Sequence, residues 1–446
     1  MPTAPIAEPA LDLSAPPAFF VLADARVPAC LVPDAHGPMD AEGLVAIDIV
    51  VTHGGIAEVR PAGTPDPMPR IELGGRLALP GLVDAHTHLD KGFIWPRARN
   101  PDGTFAGALR TADADREANW SSEDVRRRMD FGLRCAYAHG TVAIRTHLDS
   151  TGKQTAISWP VFAQMRAQWA DRIALQAVSL TAIDQVLNDT EFQPMLDAVA
   201  TTGSVLGTVT YMTPALDAGL ERVFAAAERL GLDLDFHVDE TGDPTAQSLR
   251  HIAEVARQRR FEGRILVGHC CSLARQNEAE IDRTLDLMAG TRISVVSLPM
   301  CNMYLQDRAA GRTPRWRGVT LLHEMRARGI PVMVANDNAR DPFHAYGDLD
   351  LVETYREATR ILHLDHPVGD WPRTVTTAPA DVMGYNSLGL IAPGRRADLL
   401  IFRARSLNEF LSRPQADRIV LRGGRAIDTT PPDYAELDDL MEARNV

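Results

Sequence analysis

Two histidines stand one residue apart at the end of an apolar run, Leu79-Pro-Gly-Leu-Val-Asp-Ala-His86-Thr-His88-Leu-Asp90. In a β-strand, residues i and i+2 point to the same face, so His86 and His88 project together and can grip one metal ion. A lone His-x-His is weak evidence. Three later segments strengthen it, each an apolar run that stops at histidine or acid. They are Asp235-Phe-His237-Val-Asp239-Glu240, Val267-Gly-His269-Cys and Val334-Ala-Asn336-Asp337-Asn338. Neutral imidazoles with one carboxylate make a good shell for a divalent transition metal and leave positions open for water. Such a metal lowers the pKa of its water toward neutrality, which makes a hydroxide nucleophile available. A single histidine at a strand end is more often a hydrogen-bonded core residue, and Asp337 alone could cap a helix. Repetition of the pattern at four strand ends favours a metal centre.

These side chains meet only if the strands that carry them share one mouth. Eight short apolar runs read as strands: 77–86, 141–147, 172–180, 205–210, 232–237, 264–269, 292–298 and 331–335. Runs without polar alternation suit strands buried on both faces of a parallel sheet. Amphipathic segments lie between them. Ser121-Ser-Glu-Asp124 opens a helix that runs to about His139-Gly140. Segment 215–230 ends at Gly231, and 320–328 ends at Gly329. The first crossover is long, and its polar, Gly- and Pro-containing stretch 97–119 reads as a loop over the site. Eight βα units predict an α/β fold, a (β/α)8 TIM barrel, with the site at the C-terminal ends of its strands.

The flanks differ. Gly43-Leu-Val-Ala-Ile-Asp-Ile-Val-Val51, Ala397-Asp-Leu-Leu-Ile-Phe402 and Arg418-Ile-Val-Leu-Arg-Gly-Gly424 are short strands broken by glycines. They predict a small β-sandwich domain built from both chain termini. The expected layout is a loose arm over 1–17, the β-domain over 18–77, the barrel over 78–375, and the rest of the β-domain with a tail over 376–446.

Composition narrows the function. The 446 residues are 45% hydrophobic and 24% charged, ordinary for a globular enzyme. A net charge of -13 argues against nucleic acid as a partner. Five cysteines without a CxxC pair fit a reducing, cytoplasmic setting. Adjacent Cys270 and Cys271 read as packing residues. No run of about 18 apolar residues is present, so no membrane span is expected. The first 17 residues lack the basic start of a signal peptide. Only two lysines occur, Lys91 and Lys153.

The motif set resembles the amidohydrolase superfamily, and within it the cytosine-deaminase-like branch. The pieces that carry the resemblance are Pro80-Gly-Leu-Val-Asp-Ala-His86-Thr-His88-Leu-Asp90, Arg145-Thr-His-Leu-Asp149, Asp235-Phe-His-Val-Asp-Glu240, Leu305-Gln-Asp-Arg308, Asn336-Asp-Asn-Ala-Arg-Asp-Pro342 and Ile391-Ala-Pro-Gly-Arg-Arg-Ala-Asp-Leu-Leu-Ile-Phe402. It runs from about residue 40 to 425. The resemblance implies metal ligands His86, His88, His237 and Asp337. It implies that Glu240 shuttles a proton and that His269 orients the water or stabilises the developing charge. Asp337 would also accept the water's proton. Binuclear members use a carboxylated lysine at the end of strand four. That strand here, Val205-Leu-Gly-Thr-Val-Thr-Tyr-Met212, has none, so one divalent ion per chain is expected, with zinc, iron and manganese all open.

Two departures bear on substrate. Cytosine deaminases carry a glutamine at the end of strand three. Here Leu180 stands near that place and Gln185 is the first glutamine after it. An acid follows their metal-binding aspartate, where this chain has Asn338. A polar site lacking its partner discriminates strongly, so cytosine itself is not the expected substrate. Other pocket candidates are Phe343 and Trp95 as stacking surfaces, Asn302 after strand seven, and Lys91, which either reads an anionic group or pairs with Asp90 or another acid at the rim. Trp316 reads as a surface-loop residue. The expected activity is hydrolytic deamination of a small amino-substituted nitrogen heterocycle: cytosine-like, pterin-like, purine-like or a triazine. Hydrolysis of a cyclic amide or an N-alkylamino group by the same chemistry is the alternative. A retired, ligand-binding barrel is disfavoured because every expected position is filled. Self-association is left open.

Overall fold

The computed structural model describes residues 13–33 and 37–442 and divides into two compact units. One comprises residues up to Gly81, Pro367–Pro372 and Ser387–Thr430. The other comprises Leu82–His366, Arg373–Asn386 and the segment from Pro431. Residues 376–386 and those from 431 onward, placed with the β-domain on sequence grounds, thus group with the barrel, while 367–372, expected in the barrel, group with the smaller unit.

The smaller unit holds two four-stranded sheets. The first runs Gly55–Pro61, Leu44–Thr52, Phe19–Pro28, Arg70–Glu72, and the second Arg425–Ala426, Ile419–Arg422, Leu399–Ile401, Ala78–Pro80. Most of the expected arm, residues 1–12, lies outside the described residues. Leu13, also assigned to that arm, is instead buried, and its carbonyl accepts from Ala426 N at 2.8 Å.

The larger unit carries the (β/α)8 barrel. Its strands are Leu82–Thr87, Thr141–Asp149, Ala174–Leu180, Leu206–Thr210, Leu234–Val238, Ile265–His269, Ile293–Ser297 and Val332–Val334. The first three pair in parallel, as do the last five. Single parallel bridges close the ring: Val178 with Val205, Ala182 with Val209, and Thr87 with Asp337. The expected first strand is split at Gly81. Pro80 pairs with Leu399 in the smaller unit, and the barrel begins at Leu82.

Strand alternation sorts the side chains. In Leu234–Val238, Phe236 meets the helix layer, where its ring stacks 6.1 Å from Phe224. Asp235 and His237 contact His147 and His88 in the interior. Helix Leu216–Leu230 stops at Gly231 in the left-handed conformation, as expected. Ser121 caps helix Ser122–Ala138, its side chain accepting from Asp124 N.

Segment 97–119 departs from expectation. Phe105–Asn119 is a 15-residue helix capped by Thr104, whose hydroxyl accepts from Gly107 N at 3.0 Å. The low apolar content of this stretch hid it, but its alanines and arginines are good helix formers. Gly107 is required there because a Cβ would run into the Asp102 carboxylate. Removing the packed ring of Phe236, by Phe236→Ala, is expected to lower stability by about 3–5 kcal/mol in chemical denaturation.

Candidate active site

The C-terminal ends of the strands surround a cavity of about 880 Å³. Its floor includes His88, His237, Glu240, His269 and Asp337. His86 is fully buried behind this floor. Its ring lies over Gly268, where a Cβ would come 3.0 Å from His86 Cε1. Any larger residue before His269 would press on the His86 ring, which would have to give by a few tenths of an ångström.

The interatomic distances test whether a cation fits. His88 Nε2 lies 3.1 Å from Asp337 Oδ1 and 3.2 Å from His237 Nε2. His86 Nε2 lies 3.5 Å from the same Asp337 oxygen. Both Asp337 oxygens and both His86 nitrogens are buried without a hydrogen-bond partner. A neutral imidazole carries one N–H, so protons alone leave lone pairs facing lone pairs. Burial drives the His88 and His269 pKa values down to about 3, and Lys91 adds to the effect at His88. Burial also opposes ionisation of Asp337, yet the contacts with His86 and His88 hold it well below the usual carboxylate range. An anionic carboxylate among neutral imidazoles is a donor set that fits a divalent cation.

Glu240 is in the opposite state. Burial, then the negative charge of Asp337, push its pKa well above the usual carboxylate value. Its Oε1 accepts from Asn302 Nδ2 at 3.2 Å, and the same amide nitrogen lies 2.9 Å from His269 Nδ1. Asn302 is fully buried on helix Pro299–Leu305 and ties these two groups together. His269 and Asp337 both sit in the left-handed backbone region, φ 67° and 66°. Non-glycine residues adopt it only under local constraint, and such strain concentrates at working sites.

The walls are mainly apolar. Phe343 lines the cavity, with Phe105 edge-on to it at 5.6 Å. Lys91 Nζ stands 5.1 Å over the Phe343 ring and 3.1 Å from Asp149 Oδ1. Its ion partner is thus Asp149, a rim acid, while Asp90 Oδ2 accepts from Asp149 N and Ser158 Oγ. Leu180 and Asn338 line the cavity too, although Asn338 Nδ2 already donates to Asp341 at 2.7 Å. Trp95 does not line it. Phe93, at φ 66°, turns the chain, and Trp95 N donates to Arg340 O.

Several lining residues escaped the sequence reading, among them Gln185, Tyr211 and Arg116. His147 escaped as well. Its ring lies 4.0 Å from that of His86, and its Nε2 is 3.1 Å from Asp235 Oδ1. The available signal was Arg145, His147 and Asp149 alternating along one strand, three polar residues on one face of a fully buried segment.

Comparison with known proteins agrees with this geometry. The amidohydrolase family profile matches residues 190–427. A pterin deaminase from Rhizobium rhizogenes is 54% identical over 427 residues, covering 96% of this chain and 98% of the relative. The chain belongs to the amidohydrolase family. A second relative, the N-isopropylammelide isopropyl amidohydrolase of Pseudomonas, is 26% identical over 80% of this chain and 87% of its own. The solved 5-methylcytosine deaminase from Klebsiella pneumoniae superposes with a TM-score of 0.79 at 24% identity, covering 92% of this amidohydrolase and 97% of that chain.

Substitution Gly268→Ala should displace the His86 ring. The expected result is loss of tight metal binding, at least tenfold weaker in chelator competition, with little change in secondary structure by circular dichroism.

Proposed function

We propose that this amidohydrolase removes the exocyclic amino group of a pterin as ammonia, leaving an oxo group on the ring carbon. The observation that carries the reading is the placement of two buried carboxyls in one cavity: Asp337 against His86 and His88, at 3.5 and 3.1 Å, and Glu240 on the Asn302 amide at 3.2 Å. Contacts with the imidazoles hold the Asp337 pKa down, while burial and the Asp337 charge raise that of Glu240. The 54% identity to a pterin deaminase over nearly the whole chain supports the substrate class.

The proposed ligands are His86, His88, His237 and Asp337. When bound there, one divalent ion supplies Lewis acidity that brings a water's pKa toward neutrality. The chain's own groups do the rest. Glu240, kept neutral by burial and by Asp337, donates its proton to the ring nitrogen beside the amino-bearing carbon. Asp337 takes a proton from the attacking water. His269, whose Nδ1 lies against Asn302, turns Nε2–H toward the oxygen on which charge develops. The new C–O bond forms, the proton held by Asp337 passes to the amine, the C–N bond breaks to give ammonia, and the hydroxyl proton returns to Glu240 as the ring carbon becomes an oxo group.

The ring has room. A cavity of about 880 Å³ falls in the usual range for small-molecule sites and exceeds what one bicyclic heterocycle fills. Phe343 offers a face for stacking, and Leu180 and Gln185 stand where the pyrimidine edge would approach. Thr181 lies beside them.

Ammonia release from pterin, with metal content measured on the same sample, tests the reading. About one metal per chain with one ammonia per pterin consumed is the expected result. Metal without ammonia, or alkylamine from N-alkylaminotriazines in its place, would overturn the deaminase assignment.

Substitution Glu240→Gln keeps the shape but removes the transferable proton. It is expected to lower kcat by at least about 10²-fold while metal content stays unchanged. Because Glu240 works as an acid, wild-type activity should fall as pH rises through its elevated pKa. A pH profile of kcat checks this.

A further inference from the structure

We infer that His147 is an additional protein ligand of the metal ion, binding through Nδ1, with Asp235 holding its ring from behind. This role rests on the metal-centre reading above. His147 Nε2 lies 3.1 Å from Asp235 Oδ1, and the other oxygen of Asp235 accepts from Arg145 at 2.9 Å. Arg145 is itself anchored on Gln176 at 2.8 Å. The ion pair keeps Asp235 an acceptor, so His147 carries its proton on Nε2. Nδ1 is left with a free lone pair. That atom is buried and has no hydrogen-bond partner.

A carboxylate behind an imidazole, fixing its tautomer and presenting its other nitrogen, is the usual support of a metal-binding histidine. The place is right as well. His86, His88, His147 and His237 each offer one ligand atom, and these atoms all lie within 4.8 Å of one another. The His147 ring is 4.0 Å from that of His86 and 4.7 Å from that of His237. His86, His237, His269 and Asp337 form an overlapping group of the same tightness. The groups share His86 and His237, and His147 and His269 differ in what their second ring nitrogen offers. His269 Nδ1 takes the Asn302 amide, which leaves a proton on Nε2. His269 is thereby suited to proton work and His147 to ligation. Four imidazoles and the Asp337 carboxylate would surround the ion, a shell richer in nitrogen than the sequence alone suggests.

The full chain, loaded with zinc, is crystallised and the ion located by anomalous scattering. A Zn–Nδ1 distance to His147 of about 2.0–2.1 Å is expected. An ion held by His86, His88, His237 and Asp337, with both His147 nitrogens beyond about 3 Å, overturns this role and leaves the proposed function standing. A chain that takes up no zinc overturns both. In solution, His147→Asn should weaken cobalt binding by more than the roughly 10–100-fold that loss of an outer partner costs, and should change the visible spectrum of the cobalt form. An unchanged cobalt spectrum in a folded variant would count against ligation. Should that variant fail to fold, the native crystal decides alone.

Discussion

An ionised carboxylate, Asp337, sits at the bottom of this cavity with neither oxygen hydrogen-bonded and neutral imidazoles as its neighbours. Burying an uncompensated charge costs several kcal/mol. A cation at the same place removes that cost, while burial keeps His88 and His269 from supplying the charge by protonation. The architecture follows from this requirement. The donors must come from several strand ends, since one strand offers at most two inward side chains near its tip, as with His86 and His88. A closed barrel of parallel strands brings those tips together.

Bringing them together strains the backbone. His269 and Asp337 both adopt positive φ, and so does Asp239 beside Glu240. Rigid packing beneath them sustains the strain. Asp84 accepts from Asn336 Nδ2 at 2.6 Å, and Asn336 Oδ1 accepts from Thr354. Asp239 accepts from the Ser248 hydroxyl and from Leu249 N. The residues that hold the donors are thus nearly as buried and as well bonded as the donors are. Gly268 belongs with them, although it contributes only the absence of a side chain.

Much of this was legible in the residues themselves, and the reasons differ by element. His86 and His88 were visible because a strand's period of two is local. His237, His269 and Asp337 were visible because apolar runs ended on them. The eight strands were visible because buried parallel strands lack polar alternation. His147 was overlooked although the expected strand 141–147 ends on it, because it stood alone there, and the observed strand runs on to Asp149. Recognising it required weighing Arg145, His147 and Asp149 as one face. The helix Phe105–Asn119 was hidden because its buried face is made mostly of alanines, Ala108 and Ala112 with Phe105 packing against Cys301, Leu305 and Phe343, which gives little apolar signal in sequence. Trp95 misled because its distance from Asp90 in sequence is short, while the reversal at Phe93 sends it elsewhere. Gln185 was noted only as the first glutamine after Leu180 and not as a pocket residue, yet the turn after strand three carries it to the cavity wall.

The division of labour between two carboxyls follows from position alone. Asp337 lies among imidazoles and is stabilised as an anion. Glu240 faces apolar walls and the Asn302 amide, and the nearest full charge of its own sign is Asp337. Ionising Glu240 would set two anions in one water-poor cavity, so the second proton is retained. Two acids in one site thereby take opposite roles without any difference in intrinsic strength. The order follows from the neighbours: Asp337 faces His86 and His88 together, whereas Glu240 meets only His269, at 3.4 Å. A reaction that needs one group to take a proton and another to give one finds both already in the required state.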